Sequence, residues 1–275
     1  MTLLTGKPAA APGLAATADR AGTTAAGRRL RRTAGLVLAV AVPLLLWWGL
    51  AASDALGPGF ITPAATVRAL ADNWGVIWYN TQPTLLATLD GVLVLLVLSA
   101  VGTLAVSLLP GLTPWLVGAG VVLGSLPLIS LTPALSLFIT RGTQLVATVT
   151  VLSGLVPVAA MLTAVARIAQ RGRDGIGAVY ATSRFRWWRY VGFWQSIPVL
   201  DIGLRAMIPA CFVGAIVAEW SGATGEEGLG ELMVNALFSY QVALLWACLL
   251  LSAGIALGLL GAVALVMEPL RRRVR

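Results

Sequence analysis

The side chains able to do chemistry are few, and their types exclude most kinds of it. The 275-residue sequence has no histidine, two cysteines and a single lysine, Lys7. Without histidine there is no imidazole base, and zinc or haem would find almost no ligands. No metal site and no cofactor are expected. Cys211 and Cys248 lie inside apolar runs and read as buried thiols rather than a disulfide. Lys7 is followed by Pro8, whereas a nucleotide-binding P-loop needs lysine followed by serine or threonine in a glycine-rich turn. The chain is therefore not expected to be an enzyme. If it moves a solute uphill, the energy must come from an ion gradient or a partner.

What remains are ionisable groups inside or at the ends of apolar segments, the usual markers of function in a membrane. These are Asp90, Asp201, Arg205 and Glu219. Asp201 and Arg205 are spaced i, i+4 and can pair on one helix face. Such a pair either neutralises itself near a span end or serves a gate or substrate contact. Asp90 is expected near the outer end of its span, where it either reaches interfacial water or takes part in function. A self-powered porter would want more buried acids at mid-depth.

The chain is 58% apolar and only 11% charged, far from the balance of a soluble domain. Continuous apolar runs span about Thr33–Ser53, Thr84–Leu109, Trp115–Thr140, Gln144–Ile168, Ile197–Val217 and Val242–Met267. Each can cross a hydrocarbon core of about 30 Å as a helix. The fold class is thus an all-α, six-span membrane protein. Residues 1–32 read as a disordered cytoplasmic tail, 33–270 as one transmembrane domain with a cytoplasmic loop at 170–196, and 271–275 as a basic tail. Trp74 and Trp78, also i, i+4, suggest a short interfacial helix over Val67–Tyr79.

The net charge of +8 is a matter of topology rather than of nucleic-acid binding. Basic residues gather in the N-terminal tail (Lys7, Arg20, Arg28, Arg29, Arg31, Arg32), in the 165–196 stretch (Arg167, Arg171, Arg173, Arg184, Arg186, Arg189) and at the C-terminus (Arg271, Arg272, Arg273, Arg275). The opposite side holds only Arg68 and Arg141. The positive-inside rule then predicts both termini in the cytoplasm and the glutamate-rich 219–238 loop outside. In span six, Gly254 and Gly258 form a small-xxx-small pair that fits a dimer face or close packing within the chain.

The cytoplasmic stretch runs from small residues (Gly175, Gly177, Ala178, Ala181, Ser183) into basic and aromatic ones (Arg184 to Trp194), then Ile197-Pro198. Small residues permit close packing, and aromatic and arginine side chains can anchor in a partner. The equal rival is a pair of interfacial helices on the anionic inner leaflet.

In this stretch the sequence resembles the permease subunit of bacterial binding-protein-dependent ABC importers, closest to the nitrate, sulfonate and taurine group. Ser183-Arg184 match the pair that follows the family's Glu-Ala-Ala-x-x-x-Gly motif, and Ile197-Pro198 match its last Leu-Pro. Gly203-Leu204-Arg205, Ala218-Glu219 and Gly228-Leu229-Gly230 resemble later family segments, and Ile61-Thr62-Pro63, Ser125-Leu126-Pro127 and Pro133 resemble earlier ones. The resemblance covers roughly residues 35–270. Gly175 stands where the motif has Glu, Ala181 where it has Gly, and Trp194 where Pro is expected.

The resemblance implies a type I ABC importer permease-like fold in the bacterial plasma membrane. It implies a cytoplasmic ATP-binding subunit, a second permease subunit in a homo- or heterodimer, and an external solute-binding protein as partners. Ala178, Ala181, Ser183, Arg184 and Trp187 would contact the ATPase. Pro127, Pro133, Asp201, Arg205 and Glu219 are weaker candidates for the translocation path or gate. A self-powered secondary transporter or channel is the alternative.

Overall fold

The computed structural model describes residues 34–35, 37–39, 41–53, 57–172, 174–175, 183–224 and 227–273. They divide into two units, Met1–Pro63 and Ala64–Arg275.

In the first unit, helix α1 (Val37–Ala52) is apolar and, at about 1.5 Å per residue, about 24 Å long. Beyond it the chain turns at Gly57, whose φ of 76° favours glycine. Trp47 Nε1 donates to the Ile61 carbonyl at 2.9 Å, tying the helix to the segment that follows.

The second unit is helical along most of its described length. Helix α2 (Pro63–Asp72) ends at Asn73, and α3 (Trp74–Leu108) starts immediately after it. The expected interfacial helix over Val67–Tyr79 is therefore two elements. Trp74 and Trp78 stack at 5.7 Å on the first turns of α3. Helix α3 has 35 residues, so it begins well before the apolar run that announced it. Asp90 lies about 24 Å along a helix of about 52 Å, still close to the start of the apolar run within that helix.

The third apolar run is not one helix. A 3-10 turn at Pro110–Leu112 leads into α4 (Thr113–Gly124), and α5 (Leu128–Leu135) leaves at 88° to it. Pro127 stands at the break with φ −69° and ψ 100°, an extended conformation. It lacks an N–H and so takes one hydrogen bond out of the ladder where the chain turns.

Helix α6 (Thr143–Gly172) is the central element, packed on α3, α4 and α8 (Phe193–Trp220). Val92, Leu95, Val106, Val158, Met161, Leu162, Val165, Met207 and Cys211 make the core between them. Small residues set the separations, as expected between helices in lipid. A Cβ at Gly154 would strike Leu95, and one at Gly214 would strike Ser153. Ser153 Oγ donates to the Ala210 carbonyl at 2.9 Å, joining α6 to α8.

Helix α9 (Leu229–Phe238) and the long α10 (Val242–Arg272) pack on α8 from the other side. Gly254 and Gly258 on α10 have open space around them. Cys211 and Cys248 are free and buried. Among the described residues, α3, α6, the Arg184–Trp220 stretch and α10 are each long and apolar enough to cross a membrane. The bent α4–α5 pair makes a fifth candidate.

Candidate functional site

Helix α8 carries candidate residues at both ends and is preceded by the basic and aromatic segment 183–192. That segment starts at Ser183, whose hydroxyl accepts from the Arg186 N–H at 3.4 Å and caps the short helix α7 (Arg184–Trp187). A π-helical turn, Trp188–Gly192, joins it to α8.

Two contacts fix α7 to the rest of the chain. Arg184 Nη1 donates to the Leu108 carbonyl at 3.1 Å. That carbonyl is one of the unpaired acceptors at the C-terminal end of α3, where a cation is favoured. Trp187 is 4% exposed, its ring filling the space beside Gly172 and Gly192, where a Cβ at either glycine would collide with it. The sequence placed Trp187 on a partner; the fold places it inside, as the bolt that holds α7 against the end of α6. The outward residues are Phe185, Arg186, Arg189 and Tyr190, and Arg189 lies 5.9 Å from the Tyr190 ring centre. Ala178 and Ala181 lie outside the described residues.

About two turns into α8, Asp201 is buried. Its Oδ1 accepts from Arg205 Nε at 2.9 Å, the expected i, i+4 pair. Its Oδ2 faces Arg271 Nη1 at 3.4 Å. Asp201 thus joins α8 to the end of α10 through an arginine that the sequence assigned only to a basic tail. Both guanidinium groups keep a third or more of their surface exposed.

At the far end of α8, Glu219 is fully buried and meets no cation among the described residues. Its Oε2 accepts from the Gly230 N–H at 2.7 Å and from Thr84 Oγ1 at 3.0 Å. Thr84 Oγ1 in turn accepts from the Leu229 N–H at 2.8 Å. The first two N–H groups of α9, which have no partner within their own helix, are thereby both satisfied. The carboxyl group also sits at the positive end of α9. Asn80 Oδ1 accepts from the Gly228 N–H at 3.2 Å, and Tyr79 OH donates to Glu227 at 2.8 Å. Glu219 Oε1 is buried with no hydrogen-bond partner among the described residues.

This geometry explains why two glycines flank Leu229. Gly228 has φ 141°, and a Cβ there would approach the Glu219 carboxyl carbon to 2.6 Å. A Cβ at Gly230 would approach the Ile216 carbonyl oxygen to 2.5 Å. Ala218-Glu219 and Gly228-Leu229-Gly230 are therefore two halves of one clasp that ties α3, α8 and α9 together.

The candidates do not converge on one centre. Asp201 and Glu219 stand about 27 Å apart along α8, and Pro127 belongs to the α4–α5 break. Beside that break, a cavity of about 450 Å³ is lined by Gly124, Leu126, Leu128, Ser153, Pro209 and Val213, among others. Pro133 lies inside α5 and is exposed. Sequence reasoning missed Thr84 and Asn80, which sit on α3 with nothing in their spacing to link them to residues 228–230. It also missed the role of Arg271, which only the packing of α10 on α8 reveals.

Among known proteins, the chain is 28% identical over 216 residues to a Haemophilus influenzae protein named "Probable ABC transporter permease protein". The match covers 78% of this chain and 87% of that protein. No family model matches the chain, and no solved structure matches it.

Proposed function

We propose that the chain is the membrane-spanning permease subunit of an ATP-driven importer. The observation that carries this reading is the similarity to an ABC transporter permease over most of both chains. The absence of a P-loop lysine from the sequence puts ATP hydrolysis in a separate cytoplasmic subunit. On this reading α1, α3, the bent α4–α5 pair, α6, α8 and α10 are six spans in a bacterial plasma membrane. Both termini face the cytoplasm, as the arginine distribution requires. A second permease subunit completes the path, and an external protein delivers a small solute of the sulfonate, nitrate-like or vitamin-precursor kind.

The segment 183–192 is the point of force transfer to the ATPase. Arg184 and Trp187 supply the rigidity: one clamps it to the end of α3, the other to the end of α6. Phe185, Arg186 and Tyr190 supply the contact, since they project outward. A lever of this kind must be stiff on its own side and adhesive on the other. The residues preceding it, Ala178 and Ala181 among them, extend the same contact.

A photocrosslinker placed at Tyr190 in the full chain tests this in native membranes. A crosslink to an ATP-binding protein is expected. A crosslink only to lipid would contradict the assignment and favour the interfacial reading of the segment.

A further inference from the structure

The spans hold four carboxyl groups, Asp90, Asp201, Glu219 and Glu268, and three of them are accounted for by arginines or by the α9 terminus. Asp90 is not. It is exposed and forms no ion pair among the described residues. The packing of α3 explains why. Its buried stripe (Thr84, Thr88, Gly91, Leu95, Ser99) is turned to α6 and α8, and at 100° per residue Asp90 points the opposite way. Leu86, Leu93 and Val97 share its side of the helix, all more than half exposed.

Asp90 also lies about 9 Å beyond Thr84, the last of the polar series Asn80-Thr81-Gln82-Thr84. Its side chain is too short to bring the carboxyl back to an interface, as a lysine or arginine can. An acidic residue at this depth turned to lipid is rare; such groups face a bundle interior or a water-filled cavity. Among the described residues Asp90 faces no bundle interior.

We propose that the Leu86–Asp90–Leu93 face of α3 lines a water-filled path, and that Asp90 makes this path favour solutes carrying positive charge. The inference rests on the permease reading and deepens it by naming a substrate class. It departs from the anionic solutes that the sequence resemblance suggested. A carboxylate at a narrow point attracts cations and repels anions, and nearby apolar walls strengthen both effects. Among the described residues of α3, no arginine or lysine offsets it.

The test uses the full chain in membranes with Cys211 and Cys248 replaced by alanine, and membrane-impermeant thiosulfonate reagents, one cationic and one anionic. Leu86→Cys, Asp90→Cys and Leu93→Cys are each exposed to both reagents, with Glu227→Cys as the external reference that reports a folded, accessible chain. The expected result is labelling at all three, with the cationic reagent favoured at Leu86→Cys. Adding Asp90→Asn should slow the cationic reagent about threefold and speed the anionic one by about the same factor, as expected for removing one charge at about 6 Å in a water-filled space. If Glu227→Cys labels while the three span positions stay unmodified, the face meets lipid or protein and the proposal falls. Labelling with a charge preference that Asp90→Asn leaves unchanged overturns the selectivity. A separate readout, co-purification of an ATP-binding subunit with the same variants, reports on the permease reading, so failure of one is not mistaken for failure of the other.

Discussion

The two ends of α8 hold buried carboxyl groups by opposite means. Asp201 is held by charge, between Arg205 of its own helix and Arg271 of α10. Glu219 is held by shape and neutral donors: two glycines that admit it, a threonine hydroxyl and the free N–H groups of α9. The difference teaches where each end can yield. A charge pair with half-exposed arginines tolerates sliding, because guanidinium groups on long stems can follow a moving partner. A clasp built on backbone N–H groups and steric gaps has one geometry. On the proposed importer reading, the Asp201 end would be the one that slides, and the Glu219 end would hold α3, α8 and α9 as one block.

That contrast can be broken most sharply at Gly230. Gly230→Ala drives a methyl group against the Ile216 carbonyl oxygen, and the clasp has no room to shift. Loss of a folded, detergent-stable chain is expected, by size-exclusion profile and thermal melting. Next in size is Glu219→Ala, which strands the Gly230 N–H in a buried site, while the Thr84 hydroxyl still reaches the Asn80 carbonyl. A cost of about 1–3 kcal/mol is expected from the one unsatisfied group. Glu219→Gln keeps an acceptor oxygen in place, so it should cost under about 1 kcal/mol.

At Asp201 the order reverses. Asp201→Asn removes charge while keeping shape, and it leaves two arginines facing a neutral group. A loss of about 1–2 kcal/mol is expected, more than Glu219→Gln causes. If the two amide variants prove equal in melting experiments, the contrast between charge and shape is wrong. A swap of Asp201 and Arg205 tests the network further: Arg271 would then face an arginine, so the double reversal should rescue the single ones only in part. The smallest effect is expected at Arg271→Ala, about 0.5 kcal/mol or less, because that side chain stays partly exposed.

Much of this was legible in the sequence, and the misses share a cause. The i, i+4 spacing of Asp201 and Arg205 is local, and the pair forms as read. The order Ala-Glu then Gly-Leu-Gly marked the clasp, but Thr84 and Asn80 could not be joined to it, because their hydrogen bonds cross well over a hundred residues of chain. Trp187 sits among arginines and aromatics that point outward, and nothing in its surroundings showed that Gly172 leaves a slot for its ring. Apolar runs also report lipid contact rather than helix length. That is why α3 starts at Trp74, ahead of its run. The run from Trp115 to Thr140 reads as continuous because Pro127 costs nothing in hydropathy, yet it breaks the backbone.

The central claim is that this chain is driven by a separate ATPase, and the most direct measurement is gentle detergent purification of the tagged full chain from its native membranes. The account predicts that an ATP-binding subunit with a Walker A motif co-elutes, alone or with a second permease, and that replacing Tyr190 and Arg186 by alanine weakens its recovery. A chain that elutes alone after mild crosslinking, and that moves solute in proteoliposomes without any ATPase, would contradict the account and make the protein a self-powered transporter.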